Sequence, residues 1–189
     1  EGKGVFIEAW GSVYKGDFKN NLAHGFGRQD NPEGSWWEGE VVKDQLHGKG
    51  TYVTEDGDKY IGEFKKHLED GFGKNIYADG DIYEGEWKRG WRHGKGKMTY
   101  ADGSIYEGNY KEGWKHGKGK FSHHHGWTYD GDYKEGVEEG FGTYFDTYGG
   151  KYIGEFSDGR PEGKGEKIYS NGDKYIGEFS AGEPEGKGE

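Results

Sequence analysis

The stretch Tyr83-Glu84-Gly85-Glu86-Trp87-Lys88-Arg89-Gly90-Trp91-Arg92-His93-Gly94-Lys95-Gly96 decides the fold. With Tyr83 as position 0, positions 0, 2 and 4 read Tyr83, Gly85, Trp87, and positions 1, 3 and 5 read Glu84, Glu86, Lys88. Alternation with a period of two predicts a strand with one aromatic and one charged face. The invariant glycine at position 2 predicts that a ring or a backbone passes over it. A second strand is expected from position 11 to about position 17, as in Gly94 to Tyr100. Between the strands, position 7 reads Asn21, Asp44, His67, Gly90, Gly113, Gly136, Gly159 and Gly182. These residue types tolerate positive φ best, so a left-handed turn residue is required there and His67 is structural. A second turn is signalled by Asp56-Gly57, Asp79-Gly80, Asp102-Gly103 and Asn171-Gly172.

The pattern repeats along the whole chain. Gly-x-Gly recurs from Gly2/Gly4 and Gly25/Gly27 to Gly163/Gly165 and Gly186/Gly188, always 23 residues apart. The leading aromatic recurs in phase at Tyr14, Trp37, Tyr60, Tyr83, Tyr106, Tyr129, Tyr152 and Tyr175. A fixed period of this length marks a repeat architecture. Residues 1–189 therefore read as one continuous array: a half repeat over 1–13, full repeats starting at 14, 37, 60, 83, 106, 129 and 152, and a partial repeat over 175–189. A chain that enters and leaves in the same half of a repeat is expected to be a piece of a longer array. The fold class expected is all-β, an elongated, single-layer, twisted antiparallel sheet of tandem hairpins. Strands about 4.8 Å apart would give eight repeats a length of roughly 75–80 Å. Aromatics at positions 0 and 4 are expected to fill the inner face.

Composition agrees once the rings are weighed. Hydrophobic residues make up 29% of the chain, a level that ordinarily signals disorder. Aromatics nevertheless reach 17%, and each ring carries a large apolar area. The chain has no cysteine, which removes disulfides and thiolate metal sites and fits a cytoplasmic setting. It has no apolar run long enough to span a bilayer as a helix.

The motif Tyr-Glu-Gly-Glu-Trp-Lys-x-Gly-x-x-His-Gly-Lys-Gly, complete at Tyr83 to Gly96, resembles the MORN (membrane occupation and recognition nexus) repeat. The resemblance covers the whole chain. It implies a single-sheet rod that serves as a protein-interaction or membrane-associated module, as in cytoskeletal scaffolds, ciliary radial-spoke heads, junctional membrane proteins and accessory segments of enzymes.

Catalytic motifs are missing. No Gly-x-Gly is followed by the third glycine of a dinucleotide fingerprint, and the Gly90–Gly96 run is one residue short of a phosphate loop and lacks its Ser/Thr. No enzyme and no cofactor are expected. A non-catalytic scaffold or adaptor is expected instead, mediating protein–protein contacts and self-association, with homodimers, in a cytoskeletal, ciliary or cortical assembly.

The candidate partner site is Trp91 and Trp114 at position 8, with Arg92, Lys115, Lys88, Lys111 and the nearby rings Tyr83, Trp87, Tyr106 and Tyr110. Two indoles at successive hairpin tips would lie about 10 Å apart. Trp and Arg are enriched in binding hot spots. Leu22, Leu68 and Val137 hold position 8 elsewhere, which also fits a side chain packed on its own turn.

The alternative function is a peripheral membrane adaptor. Net charge is −10, but residues 88–120 carry nine bases against three acids, a net of +6, which suits anionic lipid. Nucleic acid is not an expected partner at this overall acidity. His123 and His125 would share one face of a strand and are weak candidates for zinc. Position 10, as in His24, His93 and Glu139, reads as a turn-closing polar residue.

Overall fold

A computed structural model describes residues 1–186. Gly188, the last glycine of the ninth Gly-x-Gly pair, and the end of the partial repeat lie outside the described residues. The chain forms two compact units, Glu1–His93 and Gly94–Glu189. It is all-β, built from antiparallel hairpins as the sequence predicts, and none of the described residues is helical. Accordingly no helix is long and apolar enough to cross a membrane.

The first unit holds β1 (Gly2–Ile7), β2 (Val13–Lys19), β3 (Leu22–Asp30), β4 (Trp36–Val42), β5 (Gln45–Val53), β6 (Lys59–Lys65), β7 (Leu68–Ile76) and β8 (Ile82–Lys88). Next comes β9 (Trp91–Thr99). The second unit holds β10 (Ile105–Lys111), β11 (Trp114–Ser122), β12 (Thr128–Lys134), β13 (Val137–Phe145), β14 (Lys151–Ser157), β15 (Arg160–Ile168), β16 (Lys174–Ser180) and β17 (Glu183–Glu185). Within each unit, successive strands pair antiparallel as a meander. The second strand of each hairpin begins at position 8, three residues before the expected start, so Trp91 and Trp114 open strands.

Register follows the glycines. Gly4, Gly16, Gly27, Gly39, Gly50, Gly62, Gly73 and Gly85 face one another strand after strand. The same row runs from Gly96 through Gly108, Gly119, Gly131, Gly142, Gly154 and Gly165 to Gly177. The position-0 tyrosine lies along this row. A Cβ on Gly131 would stand 2.5 Å from the Tyr129 hydroxyl, and one on Gly142 would meet the same oxygen. That hydroxyl donates to the Asp132 carbonyl at 3.0 Å, and Tyr60, Tyr83, Tyr106 and Tyr152 repeat the bond to Glu63, Glu86, Asn109 and Glu155.

The core is a thin layer of rings. In the second unit Tyr110, Tyr106, Tyr133, Tyr129, Phe156, Tyr152, Phe179 and Tyr175 meet edge to face in succession, with centroids 4.8–5.3 Å apart. Such geometry sets the positive ring edge against the negative face of the next. In the first unit Val41 and Leu46 interrupt the series and are buried with Trp37, Tyr60 and Phe64.

Each hairpin turns through two residues that both have positive φ, as at Lys66 (53°) and His67 (67°). This is the type I′ pattern, whose twist matches that of the strands. Turns within each unit are held by the preceding repeat: His67 N–H donates to Leu46 O and Gly159 N–H to Glu138 O, both at 3.0 Å.

Candidate functional site

Alternation along β9 and β11 separates residues that adjacency in sequence had grouped. Trp91 and Trp114 are each 61% exposed. Trp114 leans over the next turn, where a Cβ on Gly136 would stand 3.2 Å from its ring, so it packs on a neighbouring turn rather than its own. Lys111 faces Trp114 across the hairpin end, and Lys88 and Lys111 are exposed.

Arg92 and Lys115 lie on the aromatic face instead. The Arg92 guanidinium is 5.8 Å from the Tyr83 ring centre. The Lys115 ammonium sits 4.7 Å from Phe121, 4.8 Å from Tyr106, 5.6 Å from Tyr100 and 5.7 Å from Tyr133. The pairing of each indole with the base that follows it is thus corrected: period-two geometry sends the two side chains to opposite faces. The rings placed in the candidate partner site fill the inner face and are not open to a partner. Tyr83, Tyr106 and Tyr110 are buried in the ring series, and half-buried Trp87 donates its Nε1–H to Gly73 O at 3.2 Å.

Burial is the leading cause that raises the pKa of the tyrosine hydroxyls. Tyr152 is pushed up to about 12, by desolvation and then by Glu155 and Glu162. Tyr60, Tyr106 and Tyr129 are raised further by the same leading cause. Glu69, at position 9 on the aromatic face, is raised by desolvation.

The basic segment is interleaved with acids where the second unit shows it. Lys97 and Lys120 both face Glu107 across the ladder, and Lys120 also faces Asp130. Lys118 Nζ lies 2.9 Å from Asp132 Oδ2.

The histidines differ from the expected arrangement. Strand β11 ends at Ser122, so His123 and His125 belong to the loop 123–127 and do not share a strand face. His123 stacks on Trp127 at 4.8 Å and 12°, and its Nδ1 accepts the His125 N–H at 3.2 Å. Desolvation, then His124 and His125, lower the His123 pKa. Position 10 closes turns, but those of the following repeat: Glu139 accepts the Asp158 N–H at 3.1 Å and Glu162 the Ala181 N–H at 2.9 Å.

Sequence reasoning missed two apolar features. Phe26, Phe72 and Phe141 at position 12 are more than half exposed, where other repeats carry Lys3, Lys49, Lys95, Lys118 or Lys164. Phe72 and Ile61 line a groove of about 360 Å³ with Lys49, Lys74, Glu63 and Glu84. A wider groove of about 650 Å³ in the second unit is lined by Tyr144, Tyr148, Tyr152, Phe156, Pro161 and Tyr169. The signal for the first was the break in the lysine pattern at position 12.

Residues 14–36, 37–59, 60–82, 83–105, 106–123, 129–149, 152–174 and 175–189 match a family described as MORN repeat. Among solved structures, the chain is similar to the SAS-4 (dCPAP) TCP domain of Drosophila melanogaster in complex with a proline-rich motif of Ana2 (dSTIL). Identity there is 11%, with 92% of this chain and 88% of that chain covered and a TM-score of 0.49. It is also similar to the TCP10 domain of Danio rerio CPAP in complex with a peptide of STIL, at 12% identity, 95% and 71% coverage and a TM-score of 0.35. A virginiamycin B lyase from Staphylococcus aureus matches at 11% identity, 94% and 84% coverage and a TM-score of 0.21. No curated protein matches the chain.

Proposed function

The chain belongs to the MORN-repeat family, and from that premise we propose that it is a non-catalytic scaffold that binds other proteins and copies of itself in a cytoplasmic, cytoskeleton-associated assembly, ciliary or cortical. A protein-interaction role is what the repeat family supports. The observation that carries the reading further is the exposure of Trp91 and Trp114, each 61% exposed and the largest rings that the strands leave open to solvent. An indole held at the end of a short hairpin loses little conformational freedom on binding and offers a large contact area. Lys111 beside Trp114 adds a charge that steers an acidic partner. Self-association has a surface of its own in β1, where Val5, Phe6 and Ile7 are exposed on a short strand.

The alternation of Lys97, Glu107, Lys120 and Asp130 speaks for protein over lipid. A flat anionic surface would meet Glu107 and Asp130 among those lysines, which lowers the attraction that clustered bases supply. Affinity capture from a cell lysate at about 0.3 M salt, where surface charge attraction is strongly screened, tests the proposal. A protein retained by the parent and lost from a Trp91→Ala/Trp114→Ala variant supports it. Equal capture by both forms, with unchanged circular dichroism, removes the indoles from the account. Flotation with phosphoinositide vesicles, in place of protein capture, would turn the reading to a membrane adaptor.

A further inference from the structure

In the second unit a direct hydrogen bond ties two of the loops between hairpins. Ser104 Oγ, in the loop after β9, accepts the His124 N–H of the loop after β11 at 3.1 Å. The bond ties together two loops that come from successive repeats. Among the described residues, that junction alone brings together three side chains able to ligate a metal. His124 Nδ1 lies 3.1 Å from Asp102 Oδ2 and 3.3 Å from Ser104 Oγ. The His123 and His124 rings are 4.3 Å apart, centre to centre. One ligand atom from each of Asp102, His123 and His124 falls within 4.8 Å of the others.

We propose that Asp102, His123 and His124 form a binding site for a zinc ion within one chain. Zinc takes imidazole nitrogen at about 2.0–2.1 Å and carboxylate oxygen at about 2.0–2.2 Å in a tetrahedron. Two such ligands then stand about 3.3–3.4 Å apart. The Asp102–His124 separation is already close to one edge of that tetrahedron. His123, half-buried and stacked on Trp127, supplies a second edge when its ring turns away from that stack. That turn also releases its Nδ1 from the His125 N–H. Water completes the fourth position on the solvent side. Two imidazoles and one carboxylate select a borderline transition ion over calcium or magnesium, which take all-oxygen shells. Asp102 is held in place for the task by the Ser104 N–H, which donates to its Oδ1 at 2.7 Å. The ion would cross-link two successive repeats at their rim.

His125 makes the test sharp, because it lies in the same loop and outside the proposed ligand set. Zinc binding to the full chain is measured by isothermal titration with zinc chloride in chelator-free buffer, and calcium chloride is titrated alongside. The expected result is one zinc per chain, no calcium binding, and sedimentation unchanged by the metal. Asp102→Asn, His123→Ala and His124→Ala should each weaken binding by at least about tenfold, with circular dichroism intact, while His125→Ala binds as the parent does. Loss in His125→Ala equal to that in His123→Ala would reduce the site to a histidine-rich loop and overturn the proposal. So would an unaffected Asp102→Asn variant, the absence of zinc binding at micromolar concentrations, or zinc-driven dimers in sedimentation.

Discussion

The Tyr129 hydroxyl rests where a side chain on Gly142, on the adjacent strand, would have to begin. The same relation links Tyr60 to Gly73, Tyr106 to Gly119 and Tyr152 to Gly165. The glycine row is therefore a channel cut for the tyrosine rings, and each ring secures its own strand through the carbonyl bond at position 3. Because the neighbouring wall is backbone and a buried ring, the clash cannot be relieved by turning an exposed side chain. Gly142→Ala is expected to cost at least about 2 kcal/mol, the middle of the range for overpacked interiors. Thr143→Ala, one residue along the same strand, serves as the comparison and should cost less. Urea denaturation followed by circular dichroism measures both; equal midpoints would contradict the channel.

The buried hydroxyls also set an alkaline limit. An ordinary tyrosine ionises near pH 10, and burial raises Tyr152 to about 12 and the others further. A folded value above the unfolded one means the neutral ring is favoured in the fold. That stability is whole below pH 10 and is lost as pH rises through the folded values. The urea midpoint should hold steady between about pH 8 and 9.5 and fall beyond pH 10, with tyrosinate absorbance appearing together with unfolding. Free ionisation of most tyrosines near pH 10 with an unchanged midpoint would show the rings to be exposed.

The hairpin turns offer a gain in stability. At Glu112-Gly113 both residues have positive φ, 50° and 88°, yet a glutamate holds the first place. The first repeat places asparagine there, at Asn20. Asn-Gly is the preferred pair of a type I′ turn. Glu112→Asn should therefore stabilise the chain by about 0.5–1 kcal/mol, the scale of a matched backbone substitution. Thermal denaturation reads this out, and a lower melting temperature would contradict the assignment of the turn.

Much of this was legible in the sequence because some positions admit few residue types. The glycines at positions 2 and 13 leave little room for a side chain, and the aromatic at position 0 fills the space beside them, so their shared period exposed the architecture. Position 7 was readable because Asn21, Asp44, His67 and the glycines after them share a tolerance for positive φ. Position 6 was not, since Lys43, Lys66, Arg89, Glu112 and Glu135 carry no mark of their left-handed backbone. Position 9 was opaque for a different reason. It faces the rings yet reads Ala23, Leu46, Glu69, Arg92, Lys115, Glu138 and Pro161. Long side chains can lay their alkyl stems on rings and still carry a charge, so burial left no hydrophobic pattern. For Arg92 and Lys115, closeness in sequence to the exposed indoles outweighed the strand period that separates them.

The central claim is that exposed indoles, rather than surface charge, hold a protein partner. It is tested most directly by the dissociation constant of the captured partner, measured between about 0.1 and 0.5 M salt for the parent and for Trp114→Ala. A contact anchored by the indole should weaken only a few-fold over that range, because apolar burial is little affected by screening. It should weaken by tenfold or more in the variant, the size expected for a hot-spot aromatic. Binding that collapses with salt while Trp114→Ala binds like the parent would contradict the account.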